Sequence, residues 1–181
     1  MSVLTIIAIV LGGISIYIFI TYNSIIKQKN KVLQATSGID VYLTQRFDLI
    51  PNLVECVKGY MNFEKETLSA IAEKRSMYLQ HKNLKDGEQL NNECNRIILL
   101  AENYPELKAN EQFLNLQKKL SKMESQLQAA RRIYNTEVNK YNNIIEIFPS
   151  NIIADAFNFK KEEFFQAEPK AKNSNIKIEE I

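Results

Sequence analysis

The chain has 181 residues, with 23 Lys and Arg against 21 Asp and Glu and a formal net charge of +2. Charges of both signs are interleaved rather than massed, which leaves no electrostatic footprint for nucleic acid. Five Gly, four Pro, no Trp and a 45% hydrophobic share favour helix with few turns. Cys56 and Cys94 form no CxxC pair and His81 is the single histidine, so neither a disulfide framework nor a zinc site is supported. The two cysteines are expected as free thiols in a reducing compartment.

The first element is apolar. VLTIIAIVLGGISIYIFITY, Val3 to Tyr22, carries no charge over twenty residues, and at about 1.5 Å per residue a helix of that length covers roughly 30 Å, enough to cross a bilayer. A cleaved signal peptide fits less well, because no Lys or Arg precedes the run, a small-residue cleavage site is missing, and the run exceeds an h-region of about 7 to 15 residues. Lys27, Lys29 and Lys31 follow directly. The bias of basic residues toward the cytoplasmic flank then predicts an N-terminus outside and everything after residue 23 inside. Ala8 and Gly12 make a small-xxx-small step on which two spans could meet.

From Ile25 the apolar positions Ile25, Val32, Ile39, Leu43, Phe47, Ile50, Val54, Val57 and Met61 advance by sevens, fours and threes, one continuous helical stripe. It passes through Pro51, which predicts one long helix with a bend, Asp48 capping the free donors ahead of the proline. Asn62, Glu64 and Glu66 look like the cap and acidic first turn of a second helix to about Lys82, with Leu68, Ile71, Arg75 and Tyr78 or Leu79 on one face. HKNLKDG, 81 to 87, is read as its turn, and a third helix is expected from about Glu88 to Glu102, stopped before Pro105.

Pro105 suits the first turn of the last long helix. Its face is Phe113, Leu116, Leu120, Met123, Leu127, Ala130, Tyr134, Val138, Tyr141, Ile145 and Phe148. Pro149 ends it, Ser150 is placed to cap a short helix over 151–157, and FKKEEFF follows. The polar, aperiodic residues 166–181 are expected to be disordered. No strand alternation of useful length occurs, so the fold class is all-α: residues 1–23 as transmembrane helix with a short N-terminus, and 24–165 as an antiparallel bundle of about four long helices, the first kinked near Pro51. An antiparallel return brings Phe148, Ile152, Ile153, Phe157, Phe159, Phe164 and Phe165, with Lys160 and Lys161, back toward the lipid. The competing expectation, favoured here, is that this segment folds over the end of the bundle.

SGIDVYLTQRFDLIPNLVECVKGYMNFEKETL (37–68), AENYPELKANEQFLNLQKKL (101–120) and AARRIYNTEVNKYNNIIEIFPSNIIADAF (129–157) together resemble the LemA family of bacterial membrane proteins. The resemblance implies one N-terminal span, a short extracytoplasmic N-terminus, a cytoplasmic helical bundle in the bacterial cell membrane, and no established reaction. The positions that match the family's polar motif are Arg46, Asp48, Pro51, Asn52, Lys58, Glu64, Glu102, Asn103, Tyr104, Pro105, Arg131, Tyr134, Asn135, Tyr141 and Asn142. Phe63 departs from it, since histidine is frequent there in the family.

Catalytic chemistry finds no foothold in the sequence. A di-iron bundle needs paired Glu-x-x-His motifs, a nucleophile needs a base and an orienting partner beyond His81, and Gly12 with Gly13 lies inside the apolar run rather than in a phosphate loop. Two polar lines remain: Asp48, Asn52 and Glu55 on the first helix, and Glu124, Gln128, Arg131, Asn135, Asn139 and Asn142 on the last. Packed together, they would let Asp48 or Glu124 bind Arg131 in a network that fixes helix register, with a ligand groove as the weaker alternative. The expectation is a membrane-tethered scaffold or adaptor, not an enzyme, with no cofactor or metal. Its expected partners are the bilayer through residues 3–22, an unidentified cytoplasmic protein and a second copy of itself, not nucleic acid. The alternative is a membrane-shaping or envelope-stress component whose C-terminal aromatic residues contact lipid.

Overall fold

In the computed structural model the described residues are 2–58, 65–101 and 103–165, with only the backbone described for 65–68. The expected cap at Asn62 and Glu64, the residues Met61, Phe63 and Glu102, and the tail 166–181 lie outside them. Among the described residues seven helices follow in order: α1 Val3–Phe47, α2 Ile50–Lys58, α3 Lys65–His81, α4 Leu84–Ala101, α5 Pro105–Lys108, α6 Glu111–Glu146 and α7 Ser150–Ala156. Among the described residues there is no strand. The fold is the expected all-α one, an apolar helix leading into an antiparallel bundle with a bend near Pro51.

The bend has a definite construction. Helix α1 stops at Phe47, Leu49 N–H tightens to the Arg46 carbonyl three residues back at 3.1 Å, and α2 restarts with Pro51 in its first turn, where no intrahelical donor is missed. The Asp48 side chain does not cap this restart as expected. Its Oδ1 accepts from Arg75 Nη2 at 3.0 Å, and Arg75 Nε donates to the Phe47 carbonyl at 2.7 Å. Arg75 thus holds one of the carbonyls that the break leaves without a helical partner. The interruption also shifts the phase of the apolar stripe, so Leu53 rather than Val54 enters the core.

The described residues divide into two compact units, one within Met1–Gln28 and Tyr134–Ile181, the other within Lys29–Ile133. In the second, Leu43, Phe47, Ile50, Tyr78, Leu90, Cys94, Leu120 and Leu127 are fully buried, and each large apolar side chain contributes about 1.5–3 kcal/mol. Phe47 meets Tyr78 edge to face at 5.0 Å. Helix α4 begins at Leu84, four residues before its expected start, because the turn needs only Lys82 and Asn83. Lys82 takes the left-handed φ of 52°, and Asn83 Oδ1 accepts Lys85 N–H at 2.9 Å. Gly87 is therefore not a turn residue but a packing residue inside α4: a Cβ there would stand 2.6 Å from Tyr78 Cε2 and 3.0 Å from Leu43 Cδ1. The last long helix is likewise split. Helix α5 ends at Lys108, and Asn110 Oδ1 caps α6 through Phe113 N–H at 3.1 Å.

In the first unit, residues 3–20 of α1 are exposed throughout and burial starts at Thr21 and Ile25. Gln28 Nε2 donates to Glu137 Oε2 at 2.7 Å and to its carbonyl at 3.2 Å, fixing α1 against α6. Val138, Tyr141 and Ile145 on α6 and Ile153 and Ala154 on α7 complete this core. Phe148, expected on the buried stripe, is exposed, because α6 ends at Glu146. Ser150 does not cap α7; its Oγ donates back to the Ile144 and Ile147 carbonyls at 2.6 and 2.7 Å.

Candidate functional site

The most deeply placed charge among the described residues is Arg46, on the last turn of α1 and 1% exposed. Helical phase puts it one position from Phe47 and three from Leu43, so the side chain enters the core between α4 and α6. Its Nη1 pairs with Glu124, which is 22% exposed, and its Nη2 donates to Asn95 Oδ1 at 2.5 Å. Glu124 also accepts from Asn91 Nδ2 at 3.4 Å and from Gln128 Nε2 at 3.2 Å. Burial pulls the Arg46 pKa down to about 10, and the like charge of Arg131 lowers it further. The guanidinium therefore stays charged at neutral pH. Cys94 beside it is pushed up to about 11 by burial, against the pull of the Arg46 charge, and stays a thiol.

The expected pairing of Arg131 with Asp48 or Glu124 is replaced, among the described ion pairs, by a different one. Arg131 lies 3.7 Å from Glu88 on α4, while Asp48 is taken by Arg75. The two polar lines thus pair with other helices, Asp48 with Arg75 on α3 and Arg131 and Glu124 with Glu88 and Asn91 on α4; sequence reasoning passed over Glu88, Asn91 and Asn95 and gave Arg75 no partner. The available signal was the spacing of Asn91 and Asn95, four apart and each one position beyond the core residues Leu90 and Cys94. Asn52 and Pro51 are exposed. Asn52 lines a groove of about 430 Å³ with Glu55, Cys56, Gln112, Asn115 and Lys119.

Asn135 and Asn142 do something the sequence did not suggest. They clamp the extended segment after α7 by reciprocal amide pairs. Asn142 Nδ2 donates to the Glu162 carbonyl and its Oδ1 accepts Glu162 N–H, at 2.9 and 3.0 Å; Asn135 does the same with Phe165, at 2.9 and 2.8 Å. Seven helical residues rise about 10.5 Å and three extended ones span about 10 Å, so the two spacings match. Tyr134 adds its hydroxyl to the Glu163 carbonyl at 3.0 Å and its ring to Phe165 at 5.2 Å. Of the candidate lipid contacts, Phe157 and Phe159 pack against Tyr22 at 4.8 and 5.8 Å, Lys161 pairs with Glu146, Lys160 and Phe164 are exposed, and Phe165 lies on Tyr134.

Chemically these groups hold positions. Arg46 is a fixed cation, Glu124 has its oxygens engaged, and the asparagines bind backbone. Among the described residues no three of His, Cys, Asp and Glu gather as metal ligands.

The architecture is that of a helical bundle led by an exposed apolar helix, long enough to cross a bilayer and with a mean hydropathy of 2.7 over its most apolar window. The LemA family profile matches residues 35–179, and the chain belongs to the LemA family. It is 27% identical over 161 residues to protein LemA of Metamycoplasma hominis, covering 86% of this chain and 74% of that one. It is also 23% identical over 178 residues to the magnetosome proteins MamQ 1 and MamQ 2 of Paramagnetospirillum magneticum, covering 82% of this chain but only 65% of each of them. None of these names states a reaction.

Proposed function

We propose that the chain is a single-pass protein of the bacterial cell membrane, anchored by residues 3–22 with its N-terminus outside, whose cytoplasmic bundle serves as a scaffold or adaptor for a protein partner and for a second copy of itself. It catalyses no reaction in this reading. The observation that carries it is the α1 window of mean hydropathy 2.7, of which none is buried: thirteen large apolar side chains facing water over residues 3–20 would cost far more than a marginally stable domain has to spare. Lys27, Lys29 and Lys31 after the span support the orientation.

Crosslinking in the native membrane followed by mass spectrometry tests it. Crosslinks are expected between two copies and to a cytoplasmic neighbour; monomer alone, with no neighbour, overturns the scaffold reading. A second reading makes the chain a membrane-shaping or envelope-stress component. The packing of Phe157 and Phe159 on Tyr22, next to the apolar run, favours it.

A further inference from the structure

Four large apolar side chains at the α6–α7 corner stay largely open: Ile147, Phe148, Ile152 and Phe157 are 53–74% exposed, Phe157 being covered on one side by Tyr22. Their neighbours Ile153 and Ala154 are buried, so the inner side of α7 is already occupied and the outer side carries the surplus. Isolated exposed apolar residues are ordinary, but four within eleven positions form a patch that needs an occupant.

Their height along α1 says which. Gln28 lies opposite Glu137, and antiparallel helices advance equally at about 1.5 Å per residue, so Ile147 and Phe148 stand level with about residues 17 and 18. Tyr17 and Ile18 are indeed the least exposed large apolar residues of the run before Tyr22, at 41% and 38%. Tyr22 packs on Phe157 at 4.8 Å, tying α7 to the place where the exposed run ends. Whatever covers Phe19 and Ile20 must also reach the corner. Glu146, near the same level, is paired with Lys161, and both side chains are long enough to carry their charged ends toward the headgroups.

We propose that Ile147, Phe148, Ile152 and Phe157 form a collar that dips into the acyl-chain boundary of the leaflet from which α1 emerges, so that the bundle is seated in the bilayer surface rather than hung below it. This rests on the anchored reading above.

The chain contains no Trp, so single tryptophans report unambiguously. Phe148→Trp, Ile152→Trp, Phe19→Trp in the span and Met77→Trp on α3 are each placed in the full chain, reconstituted in phosphatidylcholine vesicles with or without bromine on the acyl chains. All four positions are exposed, so no core packing is lost. The expected result is loss of emission to brominated chains for Phe19→Trp and for both corner variants, strongest at the corner for bromine close to the headgroup, with Met77→Trp quenched only by aqueous iodide. Quenching of Phe19→Trp with the corner variants open to iodide overturns the collar and leaves the anchor standing. Failure of bromine to quench any of them overturns both. Corner variants shielded from iodide and bromine alike, with shielding that grows with protein-to-lipid ratio, would mean that a second copy covers the patch, and overturn the lipid assignment.

Discussion

At the scale of single residues, Arg46 carries an unequal bargain. It is a buried cation whose partner, Glu124, keeps partial access to water. Removing the carboxylate strands the charge, whereas removing the guanidinium leaves a carboxylate that can turn outward. Glu124→Ala should therefore cost about 3–5 kcal/mol and Arg46→Met clearly less, while the pair Arg46→Met with Glu124→Leu recovers most of the loss. Denaturant unfolding in detergent micelles, followed by circular dichroism, ranks the three. Gly87 is a steric case. Alanine gains about 1 kcal/mol of helix propensity, but its Cβ meets a Tyr78 ring held by its hydroxyl bond to Asp40 at 2.6 Å. Gly87→Ala should lose about 1–2 kcal/mol net, and unchanged stability would mean that the ring yields. Neither residue disclosed this role in the sequence. Arg46 stood out only through a family resemblance, and Gly87 in KDG has the composition of a turn, because a glycine required by a neighbour's ring and one required by a dihedral are the same letter.

At the scale of elements, the helices were legible from period alone while their ends were not. The stripe through Phe47 and Ile50 survives the break because Pro51 needs only a new first turn, so the bend was foreseen. Its stabiliser was not, since Arg75 arrives from α3, which no local pattern brings to Phe47 and Asp48. The strap 159–165 was the least legible element. It has no period, and the residues that define it sit on another helix. Each asparagine supplies both a donor and an acceptor to one peptide unit. Asn135→Ala and Asn142→Ala should each loosen the strap by about 1–2 kcal/mol, raising the rate of trypsin cleavage after Lys160 and Lys161 about fivefold to thirtyfold. Asn→Asp keeps the acceptor and loses the donor, so it should fall between wild type and alanine. Equal cleavage in all variants would show that Tyr134 and its contacts to Glu163 and Phe165 hold the strap unaided.

For the whole molecule the proposed anchor makes one quantity decisive, which side of the membrane the bundle occupies, and the protein's own thiols report it. Cys56 on α2 is half-buried and Cys94 is fully buried. Burial, with the charge of Glu55 adding to it, raises the Cys56 pKa, so its thiolate fraction is below that of a free cysteine and labelling is slow. Cys94, with a pKa near 11 and no exposed surface, should stay unlabelled until the fold is opened. A membrane-impermeant maleimide applied to intact cells should then leave the chain unmodified, and the same reagent after permeabilisation should add one label, abolished by Cys56→Ser. Denaturant should add the second, on Cys94. In the proposed topology the sign follows from Lys27, Lys29 and Lys31, because basic residues flanking a span favour the cytoplasmic side. One label in intact cells would place the bundle outside and invert the topology while leaving the span intact. Replacing the three lysines by glutamine should weaken the bias without altering the core, because Lys27 is exposed and none of the three is buried. A mixed labelling pattern in that variant would trace the orientation to charge rather than to the folded bundle.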